Sequence, residues 1–216
     1  MTSRSPVEPV AAGFVLAGGR SSRMGREKAL VELGGRTLAA RAVDLLGSSG
    51  LTATIAGARS DLQDLAPVIL DEAPDRGPLG GICAAMASTE AEFAVFIPVD
   101  LPLLPASLLK YLLRDALVTG SAVTLPSVSG FAQTFPVVLC RETLSTLQAE
   151  LRARPGGCFS SFQSASQALG QSVRAIPVEV LVQSGQVAGE RGLPPFQWFL
   201  NVNAPADLER ARLSIA

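Results

Sequence analysis

The chain contains no histidine. That absence excludes Ser–His–Asp triads, Cys–His nucleophile pairs, HExxH zinc sites and imidazole proton shuttles together. An enzyme without histidine is left with reactions that need little proton transfer, or with carboxylates and a metal. Cysteine is scarce: Cys83, Cys140 and Cys158 are odd in number, far apart and form no CxxC pair. They read as buried thiols in a reducing compartment, not as a zinc or redox centre. Aromatic residues make up 5% against 48% hydrophobic overall, and the apolar content is mostly Ala, Leu and Val. That balance fits helices packed on a parallel sheet better than an aromatic-rich β-sandwich. Excess positive charge is also missing: the formal net charge is −1 and no basic stripe is visible, which argues against a nucleic-acid partner. No segment is apolar for long enough to span a bilayer, and Met1–Val10 lacks the apolar core of a signal peptide. The expectation is a cytoplasmic protein with no membrane partner, a flexible tail over 1–10 and a single domain over 11–216.

What is present is an alternation of strand and helix. Ala11 to Leu16 is a short apolar run ending at glycines, the pattern of a buried first strand. Thr37 to Leu46 has helical spacing with Thr37 as N-cap. Leu51–Ala56 and Pro67–Leu70 read as strands, Pro78–Ser88 as a small-residue helix, and Phe93–Val99 as the most strand-like run, ending at Asp100. Pro105–Leu117 is an amphipathic helix with Pro105 expected in its first turn. Ala122–Leu125, Phe135–Cys140 and Val173–Val180 read as further strands, with helices at Arg141–Leu151, Phe159–Leu169 and Pro205–Leu213. Ser184–Pro195 is the best candidate for a long loop or lid. The fold class is therefore α/β: a Rossmann-like, open, mostly parallel sheet with helices on both faces. The break near residue 130 marks a change to an antiparallel edge.

Leu16–Leu30 (LAGGRSSRMGREKAL) carries the most chemistry. A buried strand delivers Gly18 and Gly19, which let a ligand approach the backbone closely. Successive N–H groups in such a loop form a concavity that holds an anion. Ser21 and Ser22 add hydroxyl donors; Arg20, Arg23 and Lys28 add positive charge. In a nearly neutral chain, a cationic glycine loop at a strand end is suited to a polyphosphate. It is neither GxxxxGK[ST] nor GxGxxG. Asp100, at the end of the strongest strand, is placed where open α/β sheets bind ligands.

LAGGxSxRMGxxKxL resembles the signature of the nucleotidyltransferase family that includes molybdenum cofactor guanylyltransferase. Three later features are similar to that family's motifs in the same order. They are Asp71 followed by Gly77-Pro78-Leu79-Gly80-Gly81, Asp100 within VDLPLL, and Asn201-Val202-Asn203-Ala204-Pro205 running to Asp207-Leu208. The resemblance covers about residues 12–212. It implies the nucleotide-diphospho-sugar transferase-like fold and a nucleoside triphosphate bound at Leu16, Ala17, Gly18, Gly19, Arg20, Ser21 and Ser22. Lys28 and Arg23 would act on the phosphates. Asp71, Gly77, Pro78 and Leu79 would lie beside the nucleoside. Asp100 would be the Mg²⁺ ligand, with Asn201 and Asn203 supporting metal or acceptor. The implied reaction is transfer of GMP from GTP to the terminal phosphate of molybdopterin or Mo-molybdopterin, with a transient contact to molybdoenzymes or cofactor-insertion proteins. LAGG in the family goes with guanine and LAAG with cytosine, so Gly19 favours GTP. Gly57 stands where the family often supplies an asparagine to base or ribose, and Phe135-Pro136 replaces a common His-Pro. CMP transfer to molybdopterin, nucleotidyl transfer to a sugar phosphate, a non-catalytic nucleotide-binding or cofactor-carrying module, and more remotely a Rossmann oxidoreductase remain open as rivals at this point.

Overall fold

The computed structural model describes residues 10–18, 27–57, 60–70, 77–153 and 157–215. In chain order the strands are β1 (Ala11–Leu16), β2 (Glu32–Leu33), β3 (Arg36–Thr37), β4 (Ala53–Ala56), β5 (Val68–Ile69), β6 (Phe93–Pro98), β7 (Val123–Val128), β8 (Phe131–Ala132), β9 (Val137–Cys140) and β10 (Arg174–Pro177). The α-helices are α1 (Leu38–Ser48), α2 (Pro78–Ala87), α3 (Ala106–Thr119), α4 (Leu144–Ala153), α5 (Cys158–Ala168), α6 (Val178–Gln183), α7 (Pro195–Trp198) and α8 (Pro205–Ile215).

The main sheet runs β10-β7-β9-β6-β1-β4-β5, with β8 paired to β7. β1 is parallel to both β4 and β6, β4 to β5, and β10 to β7. β9 is antiparallel to β6 and to β7. The expected fold class therefore holds, with one correction. The reversed strand is not an edge but sits inside the sheet, where it lets β7 and β10 resume the parallel direction beyond it.

Side-chain alternation along the strands sorts the core onto two faces. Val95 and Ile97 of β6 and Val15 of β1 belong to one cluster, with Leu38 and Leu46 of α1 and Leu108 and Leu112 of α3. Phe96 and Phe14 point the other way, into a cluster with Ile82 of α2 and Phe162 of α5. The Phe14 and Phe96 rings stack with centroids 5.2 Å apart. A sheet covered on both faces leaves its strand ends as the places where polar chemistry can stand.

Three local readings are corrected. The expected strand over Val173–Val180 stops at Pro177, and Val178 begins α6, in which Val178 and Leu181 are buried at helical spacing. Pro105 is the N-cap of α3 instead of a first-turn residue. Ser184–Pro195 is a loop but is pinned down: Val187 is buried, Ser107 Oγ donates to Ala188 O at 2.7 Å, and Trp198 Nε1 donates to Leu193 O at 2.9 Å. Those anchors argue against a lid. The β2–β3 hairpin went unread; its Gly34-Gly35 turn has φ of 60° and 74°, the twist that two-residue hairpins require. Thr37 is the N-cap of α1 as expected, its Oγ1 accepting from Ala40 N at 3.1 Å. No helix among the described residues is long and apolar enough to cross a membrane.

One glycine fixes how closely the strand ends approach each other. Gly57, just past β4, has φ 147°, and a Cβ there would lie 2.9 Å from Gly18 N. Gly57→Ala is therefore expected to destabilise the fold by about 1–3 kcal/mol, the scale for a residue forced into strained backbone. Gly47, inside α1 with nothing within 4 Å of an added Cβ, should respond with the opposite sign. Gly47→Ala should stabilise by about 0.4–1 kcal/mol. Equilibrium urea unfolding of both variants checks the pair; equal or reversed signs would refute this account of Gly57.

Candidate active site

The strand order contains a switch point. The chain winds outward from β1 to β4 and β5, then returns through α2 to β6 on the other flank of β1. Where the strand order of an open α/β sheet reverses, ligands bind beyond the carboxyl ends of the strands. Here those ends are Leu16-Ala17-Gly18 and Val99-Asp100. Main-chain bonds hold the floor together: Ala17 N donates to Ala56 O at 3.1 Å and Val99 N to Leu16 O at 3.2 Å. Gly18, the first residue past this floor, is exposed.

Three distant segments converge on this crevice. Lys28 lies in a short 3₁₀ turn (Lys28–Leu30) whose Ala29 is buried in the core. Its Nζ donates to Asp100 Oδ2 at 2.8 Å and also to Asn203 Oδ1. Asp100 and Asn203 lie 72 and 175 positions from Lys28 in sequence. The side chains of Lys28 and Asp100 are 19% and 23% exposed, shielded from water but not sealed. Charge-assisted hydrogen bonds of this kind contribute on the order of 1.5–3 kcal/mol.

Asp207 caps the start of α8 beside this contact. Asp207 Oδ2 accepts from Ala204 N at 2.9 Å and Asn203 N at 3.1 Å. That is the reach-back of a third-position acid to the N-cap amide of α8. Capping is thus done by Asp207, and the Asn203 side chain turns to Lys28. The same segment is tied to the strand loop by Val202 N, which donates to Asp100 O at 2.9 Å. Asn201 is exposed and is not part of the Lys28–Asp100–Asn203 cluster.

The first turn of α2 packs on the ends of β1 and β4. Gly77 is its N-cap and Pro78 opens the helix; Pro78 carries no N–H and Gly80 N donates back to Gly77 O at 3.3 Å. Leu79 is buried in the core beside Leu16. Both are turned inward, so of these two only the main chain is available to a ligand. At Leu16 the carbonyl is already occupied by Val99 N. Gly19, Arg20, Ser21, Ser22, Arg23 and Asp71 lie outside the described residues.

Of the three cysteines expected to be buried, Cys83 and Cys158 are and Cys140 is half-buried; burial pushes Cys158 up to about 11 and raises Cys140 as well. Neither is suited to act as a nucleophile at neutral pH. For a metal, no group of three or more His, Cys, Asp or Glu occurs among the described residues. Mg²⁺ bound with a nucleotide does not need such a cage; one or two carboxylates, phosphate oxygens and water suffice. Asp100 is a carboxylate of the type such a site would need, and its Oδ2 is paired with Lys28 Nζ at 2.8 Å.

Comparison with known proteins agrees with this geometry. A family model described as the MobA-like NTP transferase domain matches residues 13–170. A probable molybdenum cofactor guanylyltransferase of Haloferax mediterranei is 30% identical over 207 residues, covering 91% of this chain and 90% of its own length. A molybdenum cofactor guanylyltransferase of Xanthomonas euvesicatoria is 45% identical over 106 residues, which is 48% of this chain and 54% of that relative. Among solved structures, molybdopterin-guanine dinucleotide biosynthesis protein A of Archaeoglobus fulgidus superposes with a TM-score of 0.74 at 21% identity, covering 94% of this chain and 98% of that one. The 2-C-methyl-D-erythritol 4-phosphate cytidylyltransferase of Thermus thermophilus gives 0.65 at 16% identity, covering 94% and 97%. The structures share the nucleotidyltransferase fold; the domain match and the full-length relative add the family, and this chain belongs to the MobA-like NTP transferases.

Proposed function

We propose that this protein transfers GMP from GTP to the terminal phosphate of molybdopterin or Mo-molybdopterin and releases pyrophosphate, in a Mg²⁺-dependent reaction in the cytoplasm. The observation that carries the reading is the meeting of Lys28, Asp100 and Asn203 at the carboxyl ends of β1 and β6. The names of the relatives supply the nucleotide and the acceptor. Gly19 of the LAGG run supports guanine over cytosine, because a Cβ at that point would crowd the larger base.

The chemistry suits a chain without histidine. An acceptor phosphate is already ionised at neutral pH, so no strong general base is required. Its oxygen forms a bond to the α-phosphorus of GTP while the bond from that phosphorus to the α–β bridging oxygen breaks, and pyrophosphate departs with the electron pair. Catalysis then rests on positioning two anions and stabilising charge as it moves to the leaving group. Lys28 and Arg23 would stabilise the pyrophosphate end. The loop amides from Gly18 onward would cradle the phosphates, and the amino end of α2 would favour their charge. Asp100 would hold Mg²⁺, which when bound supplies Lewis-acid stabilisation of phosphate oxygens. Asn203 would keep the Lys28 ammonium over the crevice when a ligand draws it from Asp100.

Lys28→Ala and Asp100→Ala should each lower turnover by roughly 10²–10³, as for the loss of one electrostatic stabiliser. Pyrophosphate release with molybdopterin as acceptor measures it, and near-normal turnover in either variant removes that residue from its role. The same assay run with each of the four triphosphates should favour GTP. Gly19→Ala should weaken GTP use relative to CTP; an unchanged ratio would sink the steric argument for guanine.

A further inference from the structure

A second concavity lies behind the Asp100 loop, on the α1 face of the sheet, with a volume of about 430 Å³. Its floor is apolar: Leu38, Ala42 and Leu45 of α1 and Ile97, Val99 and Leu101 around the end of β6 all line it. Its polar rim holds three arginines, Arg36, Arg41 and Arg191, against one aspartate, Asp44. Arg36 is taken up by Asp44, with Nη1 to Oδ2 at 2.5 Å. Arg191 is held by its Nη1, which donates to Ile215 O. It stands exposed at the mouth in a left-handed conformation, φ 53°, which is uncommon for a residue with a side chain.

Arg41 is different. It is half-buried, and its single hydrogen bond among the described residues is a long one, from Nη1 to Leu33 O at 3.3 Å. Its Nε is closed to water and has no acceptor among the described residues. A guanidinium carries five donors in a planar fork that matches a carboxylate. A half-buried cation with one long bond to a neutral carbonyl is under-satisfied, and an unmet buried donor costs stability until an acceptor arrives. Nothing in the nucleotide reading uses this group.

We propose that this cavity binds a small amphipathic carboxylate, its head at Arg41 and Arg191 and its apolar body on the α1–β6 floor. The charge imbalance of the rim selects an anion, the guanidinium fork favours a carboxylate, and the floor selects a hydrocarbon body.

Trp198 provides a reporter. It is the chain's single tryptophan, it is buried, and its Nε1 bonds to Leu193 O at 2.9 Å, where Leu193 lines the cavity. Sodium octanoate, titrated into the full chain below its micellar range without nucleotide, should change Trp198 fluorescence saturably, with matching heat by calorimetry. 1-Octanol should bind at least tenfold more weakly. Arg41→Gln should weaken octanoate about tenfold or more, the effect of losing one charge-assisted bond, while leaving octanol unchanged. Arg191→Gln, at an exposed position, gives a second variant if Arg41→Gln melts early by circular dichroism, and should weaken octanoate by several-fold. Absence of saturation, equal binding of acid and alcohol, or full affinity in the variant that remains folded would each overturn the proposal. Because no nucleotide is present, such a failure would leave the Lys28–Asp100 reading untouched.

Discussion

The ammonium of Lys28 is the joint on which this site depends. It joins a turn following β1, the end of β6 and the start of α8, three segments with no reason to meet except the order of the strands. Without it, Asp100 would face the crevice as an uncompensated, three-quarters-shielded carboxylate, and Asn203 would lose its partner. Asp100 in turn is held by main chain from both directions. The strand pairing ends beside Leu16 on one side, and Val202 N takes its carbonyl on the other. The ion pair is therefore not a loose surface contact of the kind that contributes little. It closes a ring of backbone and side-chain bonds around the switch point of the sheet.

The switch point itself follows from how the sheet buries its two faces. Hydrophobic residues alternate between the α1–α3 cluster and the α2–α5 cluster along β1 and β6. Neither face has space for charge in the middle of the sheet, so polar chemistry is confined to the strand ends. Among those ends, β1 and β6 are neighbours at the point where the strand order reverses.

Much of this was legible in the sequence, and the failures have physical causes. Ala11–Leu16 and Phe93–Pro98 were readable because a fully buried strand is a continuous apolar run with a polar stop, and Gly18 and Asp100 are those stops. Thr37 was readable because capping is local. The β2–β3 hairpin was not, since two-residue strands are too short to show a period. Val178–Val180, the end of the strand expected over Val173–Val180, is helix because β-branched residues in a short run suit either structure and tertiary packing decides. The interior position of β9 is a matter of topology that no local pattern records. The partner of Asn203 was equally invisible: it lies 175 residues away.

The described site residues share one further property that explains their precision. Lys28 is followed by buried Ala29, Asp100 is flanked by buried Val99 and Leu101, and Asn203 follows buried Val202. Each polar group is thus carried by a backbone whose neighbouring side chain is locked into the α1–α3 cluster. Positioning two anions for in-line attack demands placement within a fraction of an ångström, and a long side chain on a free loop could not supply it. The apolar anchors set the backbone, and the Lys28–Asp100–Asn203 bonds set the side chains. The chemistry stands on the core through single-residue steps, so the polar groups of the crevice inherit the rigidity of the sheet beneath them.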